Sequence, residues 1–275
     1  MTEYGTSTCT VAHLPVDEAL ALIAQAGFHQ IETCGPQGYF ERWEYRPVTF
    51  MRVKLERAGL RVRTVHVPVK GWALGDPDDT VRTRAVDAAS ASLTHAALVG
   101  AELVVLHPNA WRGSTDRAEY AAVQQRSNED IATLAECAAR VGIKIAVENM
   151  FGQGTPRPGS TMTELRAAIE GLGEHVGLCL DTGHCLIDGL SPAAEALVAG
   201  NKLFSLHLAD NDGSGDQHRV PGQGAIDWTE FRAALATLEY RGPRVFEISP
   251  SPTSSPAALL AQQWDVATRW ESDGR

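Results

Sequence analysis

Apolar residues in this chain follow two alternating rhythms. Four times in the first half, an alanine-rich stretch at helical spacing ends at a glycine and passes at once into an apolar or β-branched run. The junctions are Ala26-Gly27-Phe28, Ala58-Gly59-Leu60, Val99-Gly100-Ala101 and Val141-Gly142-Ile143. Glycine there is expected to be the left-handed residue just past a helix C-terminus. Before the last junction, Ile131, Leu134, Ala138 and Val141 fall at i, i+3, i+7 and i+10, one stripe that can pack on a sheet. The runs between helices are short and strand-like: TSTCTV, QIETC, VRTVHV, ELVVLH, KIAVEN, GLCLD, LFSLHL and RVFEI. Strands alternating with helices predict parallel pairing through right-handed crossovers. Eight such units in about 250 residues are the size of a closed (β/α)8 barrel, the TIM-barrel form of the α/β class. No linker divides the chain, so residues 1–275 are expected to form one domain. The Gly/Pro-rich segments 151–160 and 211–224 have the length of βα loops, which in a barrel build the site.

The ends of the strand-like runs carry the chemistry. Glu32, His66, His107, Glu148, Asp181, His207 and Glu247 close successive runs. Side chains alternate along a strand, so Thr64, Val105, Ala146, Cys179, Ser205 and Val245 should lie inward beneath them, while Leu106, Val147, Leu180, Leu206, Phe246 and Ile248 face the helices. One histidine or glutamate in such a run is more often a hydrogen-bonded structural residue. Seven at one mouth would be buried together at large cost, which a bound cation removes.

Composition narrows the function. The chain has 275 residues, 44% hydrophobic and 21% charged, with a formal charge of −10. This is ordinary globular composition. Its average field repels polyanions, so no nucleic acid partner is expected, and no apolar run approaches the ~20 residues of a membrane span, so no membrane is expected either. The cysteines at 9, 34, 137, 179 and 185 are odd in number and unclustered, and the N-terminus has no leader-like pattern, which points to a reducing cytoplasm. Gly222-x-Gly224 follows no dinucleotide-binding unit, and no G-x-S-x-G elbow occurs.

The segments VHVP (65–68), LHPN (106–109), VEN (147–149), LDTGH (180–184), LHLAD (206–210), DQH with PGQGAID (216–218, 221–227) and FEIS (246–249) together resemble the xylose isomerase-like barrels. That superfamily comprises sugar isomerases and epimerases and also contains endonuclease IV. The resemblance implies that Glu148, Asp181, His207 and Glu247 bind one divalent metal ion, and that Glu148 and Glu247 also act as catalytic proton carriers. It places His66 and His184 near substrate, and His107 and His218 are further candidate substrate contacts. Endonuclease IV holds three zinc ions with nine ligands, and suitable residues stand at all nine positions here. His66, His107, His184, Asp216 and His218 are therefore candidates for further metal as well. Its Gly-Ala-His-type opening is absent.

Two glutamates, an aspartate and a histidine suit Mn²⁺, Mg²⁺ or Co²⁺, with Zn²⁺ also acceptable. A small ketose or keto-polyol held by one such ion would lose its α-proton to one glutamate, giving an enediolate, and regain a proton from the other. The expected activity is sugar epimerisation or isomerisation, by a chain for which a homo-oligomer is compatible. The alternative is a multinuclear zinc hydrolase cleaving phosphodiesters, and a lyase or dehydratase using the same enediolate chemistry is not separated from the first reading. Around the mouth, Tyr39, Phe40, Trp43, Tyr45, Trp72 and Trp111 serve either as sugar-stacking walls or as local packing. Arg112, Arg157 and Arg219 are read as either anion clamps or solvated loop charges. His13, His29, His95 and His175 are read as structural or surface residues.

Overall fold

Eight parallel strands close on themselves in chain order, each paired with the next and β1 paired with β8. The computed structural model describes residues 4–34, 48–67, 73–111, 113–250 and 254–273. The strands are β1 (Tyr4–Ser7), β2 (Gln30–Cys34), β3 (Arg61–His66), β4 (Leu103–Leu106), β5 (Lys144–Glu148), β6 (Val176–Asp181), β7 (Leu203–Leu208) and β8 (Arg244–Phe246). Around them lie α1 (Val16–Gln25), α2 (Val48–Ala58), α3 (Asp79–Val99), α4 (Arg117–Val141), α5 (Met162–Ala168), α6 (Thr182–Ile187), α7 (Pro192–Ala199), α8 (Trp228–Thr237) and α9 (Pro256–Asp273). The barrel expected from the sequence is thus present, with α6 as an extra short helix after β6.

The four glycine junctions all adopt positive φ, and those of Gly100 and Gly142 are left-handed caps whose amides return to the last helical turn. Asp78, Asp116 and Asp227 cap the opposite ends of α3, α4 and α8 by accepting backbone amides, the favoured chemistry for exposed helix N–H groups. The run TSTCTV differs from its expected strand. β1 ends at Ser7, whose hydroxyl accepts from the Cys9 amide at 3.3 Å and starts a 3-10 turn over Thr8–Val11. A serine that caps its own backbone ends a strand sooner than β-branched content suggests.

The core has two layers. Leu106, Val147, Leu180, Leu206, Phe246 and Ile248 belong to the large cluster shared with the helices, whereas Leu103, Val105, Ala146 and Cys179 form a separate interior cluster. The inward and outward assignments made for these residues agree with this division. Phe204 packs on the interior cluster because β6 and β7 slip by one residue at that point: Leu178 pairs with Leu203 and Cys179 with Ser205. Gly177 makes the space, since a Cβ there would lie 2.3 Å from the Phe204 ring. The cysteines are not all free as expected: Cys9 is disulfide-bonded, while Cys137, Cys179 and Cys185 are free thiols. Among the described residues, no helix is long and apolar enough to cross a membrane.

Candidate metal centre

Strand ends place the site. Glu148 and Asp181 end β5 and β6, His66 ends β3, His207 lies near the end of β7, and His107 and Glu247 follow directly on β4 and β8. Parallel strands in register bring all their C-terminal ends to one mouth. Glu148 is the hub. Its Oε2 lies 3.1 Å from His66 Nε2 and 3.3 Å from His107 Nε2, and its Oε1 lies 3.0 Å from His207 Nδ1. Glu247 Oε2 reaches the same His207 Nδ1 at 3.1 Å. Glu148, Asp181, His207 and Glu247 each offer a ligand atom within 4.8 Å of the others.

Loops complete the group. Asp181 caps α6, with its Oδ1 accepting the His184 amide at 2.7 Å. That turn stands His184 over the mouth, where its Nε2 lies 3.7 Å from Asp216 Oδ2. His218 Nε2 meets the same oxygen at 3.0 Å, while its Nδ1 is 2.8 Å from the Glu247 carbonyl oxygen. His218 adopts φ 43° to do so. The nine residues singled out from the sequence therefore form one connected cluster. His66, Glu148, Asp181, His184 and His207 are buried, His107, His218 and Glu247 are partly open, and Asp216 is exposed.

The electrostatics are those of acids and imidazoles sharing protons. Burial disfavours the charge on His66, but the Glu148 hydrogen bond and the carboxylates of Glu148, Glu32 and Glu247 outweigh it and raise its pKa to about 9. Burial opposed by Asp181, Asp216 and Glu148 leaves His184 at about 9, and burial opposed by Asp216 and Glu247 leaves His218 at about 10. Burial lowers His107 despite Glu148. Burial and the neighbouring Glu148 and Glu247 raise Asp181 to about 6, against the pull of His184. Desolvation works against the charge of Glu247, yet its pKa falls to about 2 because His207 and His218 stabilise that charge.

Asp181 Oδ2 is fully buried and has no hydrogen-bond partner among the described residues. An orphaned carboxylate oxygen facing two further carboxylates and an imidazole nitrogen fits a cation, which would satisfy it. The residues present fit a divalent ion.

Residues 20–266 match the model of a family described as the xylose isomerase-like TIM barrel. The chain belongs to that family. A solved D-tagatose 3-epimerase-like protein superposes with TM-score 0.83 at 20% identity, covering 100% of this chain and 99% of the other. A D-psicose 3-epimerase crystallised in the presence of D-fructose gives TM-score 0.78 at 20% identity, covering 100% and 98%. Such identities speak for the fold. In sequence, a probable endonuclease 4 of Solibacter usitatus is 29% identical over 261 residues, 86% of this chain and 87% of that one.

Several xylose isomerase-like motif residues turn out to be supports. Asn149 of VEN accepts the Asp181 amide at 2.8 Å and donates to the Asp181 carbonyl at 3.2 Å, so one amide side chain fixes the end of β6. Asp210 of LHLAD is buried and accepts from the Gly222 amide and the Trp228 indole, both at 2.8 Å, and from the Ile226 amide at 3.3 Å. It thereby folds PGQGAID back over β7. Phe151, not singled out before, lies 4.9 Å from the His184 ring centre. Its signal was its place in the loop after Glu148.

The arginine readings change. Arg157 is buried and donates to the Asn109 carbonyl at 2.8 Å and the Phe151 carbonyl at 3.2 Å, so it is a loop anchor, neither an anion clamp nor a solvated charge. Arg219 pairs with Asp212 at 3.0 Å. Trp111 donates to Glu119 at 3.2 Å and packs edge-on to Tyr120. His175 lies 2.9 Å from the Ala135 carbonyl, and His13 and His29 are exposed. Tyr39, Phe40, Trp43, Tyr45, Trp72 and Arg112 lie outside the described residues.

Proposed function

We propose that this protein is a divalent-metal-dependent epimerase or isomerase of a small ketose or keto-polyol. The observation that carries the reading is the meeting of the Glu148 and Glu247 carboxylates at His207 Nδ1, at 3.0 and 3.1 Å, beside the unpartnered Asp181 oxygen. Glu148, Asp181, His207 and Glu247 would hold the ion, for which Mn²⁺, Mg²⁺, Co²⁺ and Zn²⁺ are all acceptable. When bound, it supplies Lewis-acid stabilisation of charge developing on a substrate carbonyl oxygen. Glu148 and Glu247 reach the site from β5 and β8, on different sides of the mouth. One takes the proton from the carbon beside the carbonyl and the other delivers a proton to the opposite face, which inverts that centre. His66 and His107 crowd one side of Glu148, and His184 and His218 stand toward the loop side, where they orient substrate hydroxyls. The solved relatives named for tagatose and psicose 3-epimerisation support a ketose as substrate. A cytoplasmic location belongs to this proposal, with the Cys9 disulfide as the observation against it.

The test is a panel of ketoses incubated in D₂O with metal-replete and chelated protein. Deuterium should enter the substrate carbon, with epimer formation, only when metal is present. Full activity of a demonstrably metal-free sample would overturn the proposal. The second reading, a multinuclear zinc phosphodiesterase, has one observation in its favour: His66, His107 and Glu148 form a further group of close ligand atoms. The charge of −10 weighs against a nucleic-acid substrate. Three tightly held zinc ions together with nicking of abasic DNA would establish it.

A further inference from the structure

We infer that Glu32 is the positioning residue for His207, holding the ring so that Nδ1 faces Glu148, Asp181 and Glu247. The inference rests on the metal reading of those residues and adds a residue to it. Glu32 is completely buried, and its Oε2 accepts from Thr64 Oγ1 at 2.8 Å and lies 3.2 Å from His207 Nε2. This contact is at the far edge of the imidazole, away from the Nδ1 that meets Glu148 and Glu247.

The backbone is shaped for that contact. β2 and β3 pair Ile31 with Val62 and then Glu32 with Thr64, passing over Arg63. Such a bulge re-aims a side chain, here setting the Thr64 hydroxyl beside the carboxylate. An imidazole can turn about its last torsion and exchange nitrogens for carbons at little cost. A fixed carboxylate on the Nε2 side removes that freedom, because only one orientation presents N–H to it. The same hydrogen bond keeps a proton on Nε2, so that Nδ1, which meets Glu148 and Glu247 here, would be the nitrogen that gives up its proton to take a ligand, with its basicity raised by the carboxylate behind it. The Cys179 thiol also lies against this ring, but a thiol is a weak acceptor and carries no fixed charge at neutrality. Glu32 Oε1 finds no partner among the described residues. The burial of Glu32 is therefore offset through Oε2 alone, by the Thr64 hydroxyl and the His207 ring.

The test uses protein labelled with ¹⁵N-histidine, with His207 assigned through His207→Asn, and Zn²⁺ titrations against a competing chelator. Metal-free wild type should show a slowly exchanging His207 Nε2 proton. Glu32→Leu should lose it and bind Zn²⁺ about 10–100-fold more weakly. Glu32→Gln keeps an acceptor and should retain the proton with binding weakened by about tenfold, and Thr64→Val, which removes the hydroxyl that fixes the carboxylate, should retain the proton resonance but speed its exchange with water. If Glu32→Leu does not fold, the other two variants decide. A Tm change with unaltered His207 resonances and Zn²⁺ affinity would mean a merely structural residue and would overturn the inference. Failure of wild type to bind any Zn²⁺ would instead remove the metal reading, and the proton resonance would still decide the role of Glu32.

Discussion

Glu148 meets three imidazoles within 3.3 Å through two oxygens, with His184 a fourth at 3.7 Å, so its charge is the one on which the cluster most depends. Its carboxyl is held well below the usual range: burial pushes it up, but His207 and His107 pull it down further. Glutamine at 148 or 247 is nearly isosteric but can neither carry a proton nor neutralise a cation. Glu148→Gln and Glu247→Gln should each lower kcat by about 10²–10⁴-fold and suppress deuterium entry from D₂O, while circular dichroism stays that of wild type. Wild-type turnover and exchange in either variant would remove that residue from the proton-transfer role. Asn149 shows the complementary case. It carries no charge, yet its paired hydrogen bonds to Asp181 set where one carboxylate stands.

The loop between β7 and α8 does at the scale of an element what Asn149 does at that of a residue. Asp210 gathers it from beneath, and Gly224 lets it pass close, since a Cβ there would fall 2.2 Å from the Asn211 carbonyl oxygen. That obstacle is backbone and cannot rotate away. Gly224→Ala should therefore cost about 1–3 kcal/mol in urea unfolding and weaken metal-dependent activity, because the displaced loop carries Asp216 and His218. An unchanged urea midpoint would show that the loop accommodates the methyl group. This element also marks the limit of sequence reading. The strand-end histidines and carboxylates were legible because period-two alternation and parallel register are local rules that extend around the barrel. QIETC and LFSLHL fall on β2 and β7 residue for residue. The support roles of Asp210, Arg157 and Glu32 were not legible. Each depends on partners 16, 48 or 175 residues away, and no periodic pattern encodes such pairs.

Across the whole molecule, the cluster makes metal-free stability depend on pH. His66 and His184 titrate at about 9 and His218 at about 10 in the fold, against 6.5 as the ordinary value. Between those limits the native state holds more protons than the unfolded chain, so stability falls as pH rises. The stabilisation is complete below about 6.5 and is lost through about 9–10. The Tm of chelator-treated protein should drop by several degrees between pH 6.5 and 9.5. Added Mn²⁺ or Zn²⁺ should restore it most strongly at the alkaline end, where the ligands no longer carry competing protons. A metal-free Tm that stayed level or rose over this range would contradict the proton-sharing picture.

The hydrogen bonds of Gln263, which is fully buried in α9, matter for synthesis. It accepts from Thr6 Oγ1 at 2.7 Å and donates to Thr10 Oγ1 at 3.3 Å, while neighbouring Trp264 packs edge-on to Phe28. β1 in turn finds its second neighbour only at Arg244–Phe246. On a ribosome, the first strand therefore waits with one open edge until nearly the whole barrel has emerged, and its apolar surroundings wait longer for α9. Such an edge invites pairing with other chains. A stalled nascent chain ending before residue 256 should accordingly depend on holdase chaperones to stay in solution, whereas the released full-length chain should not.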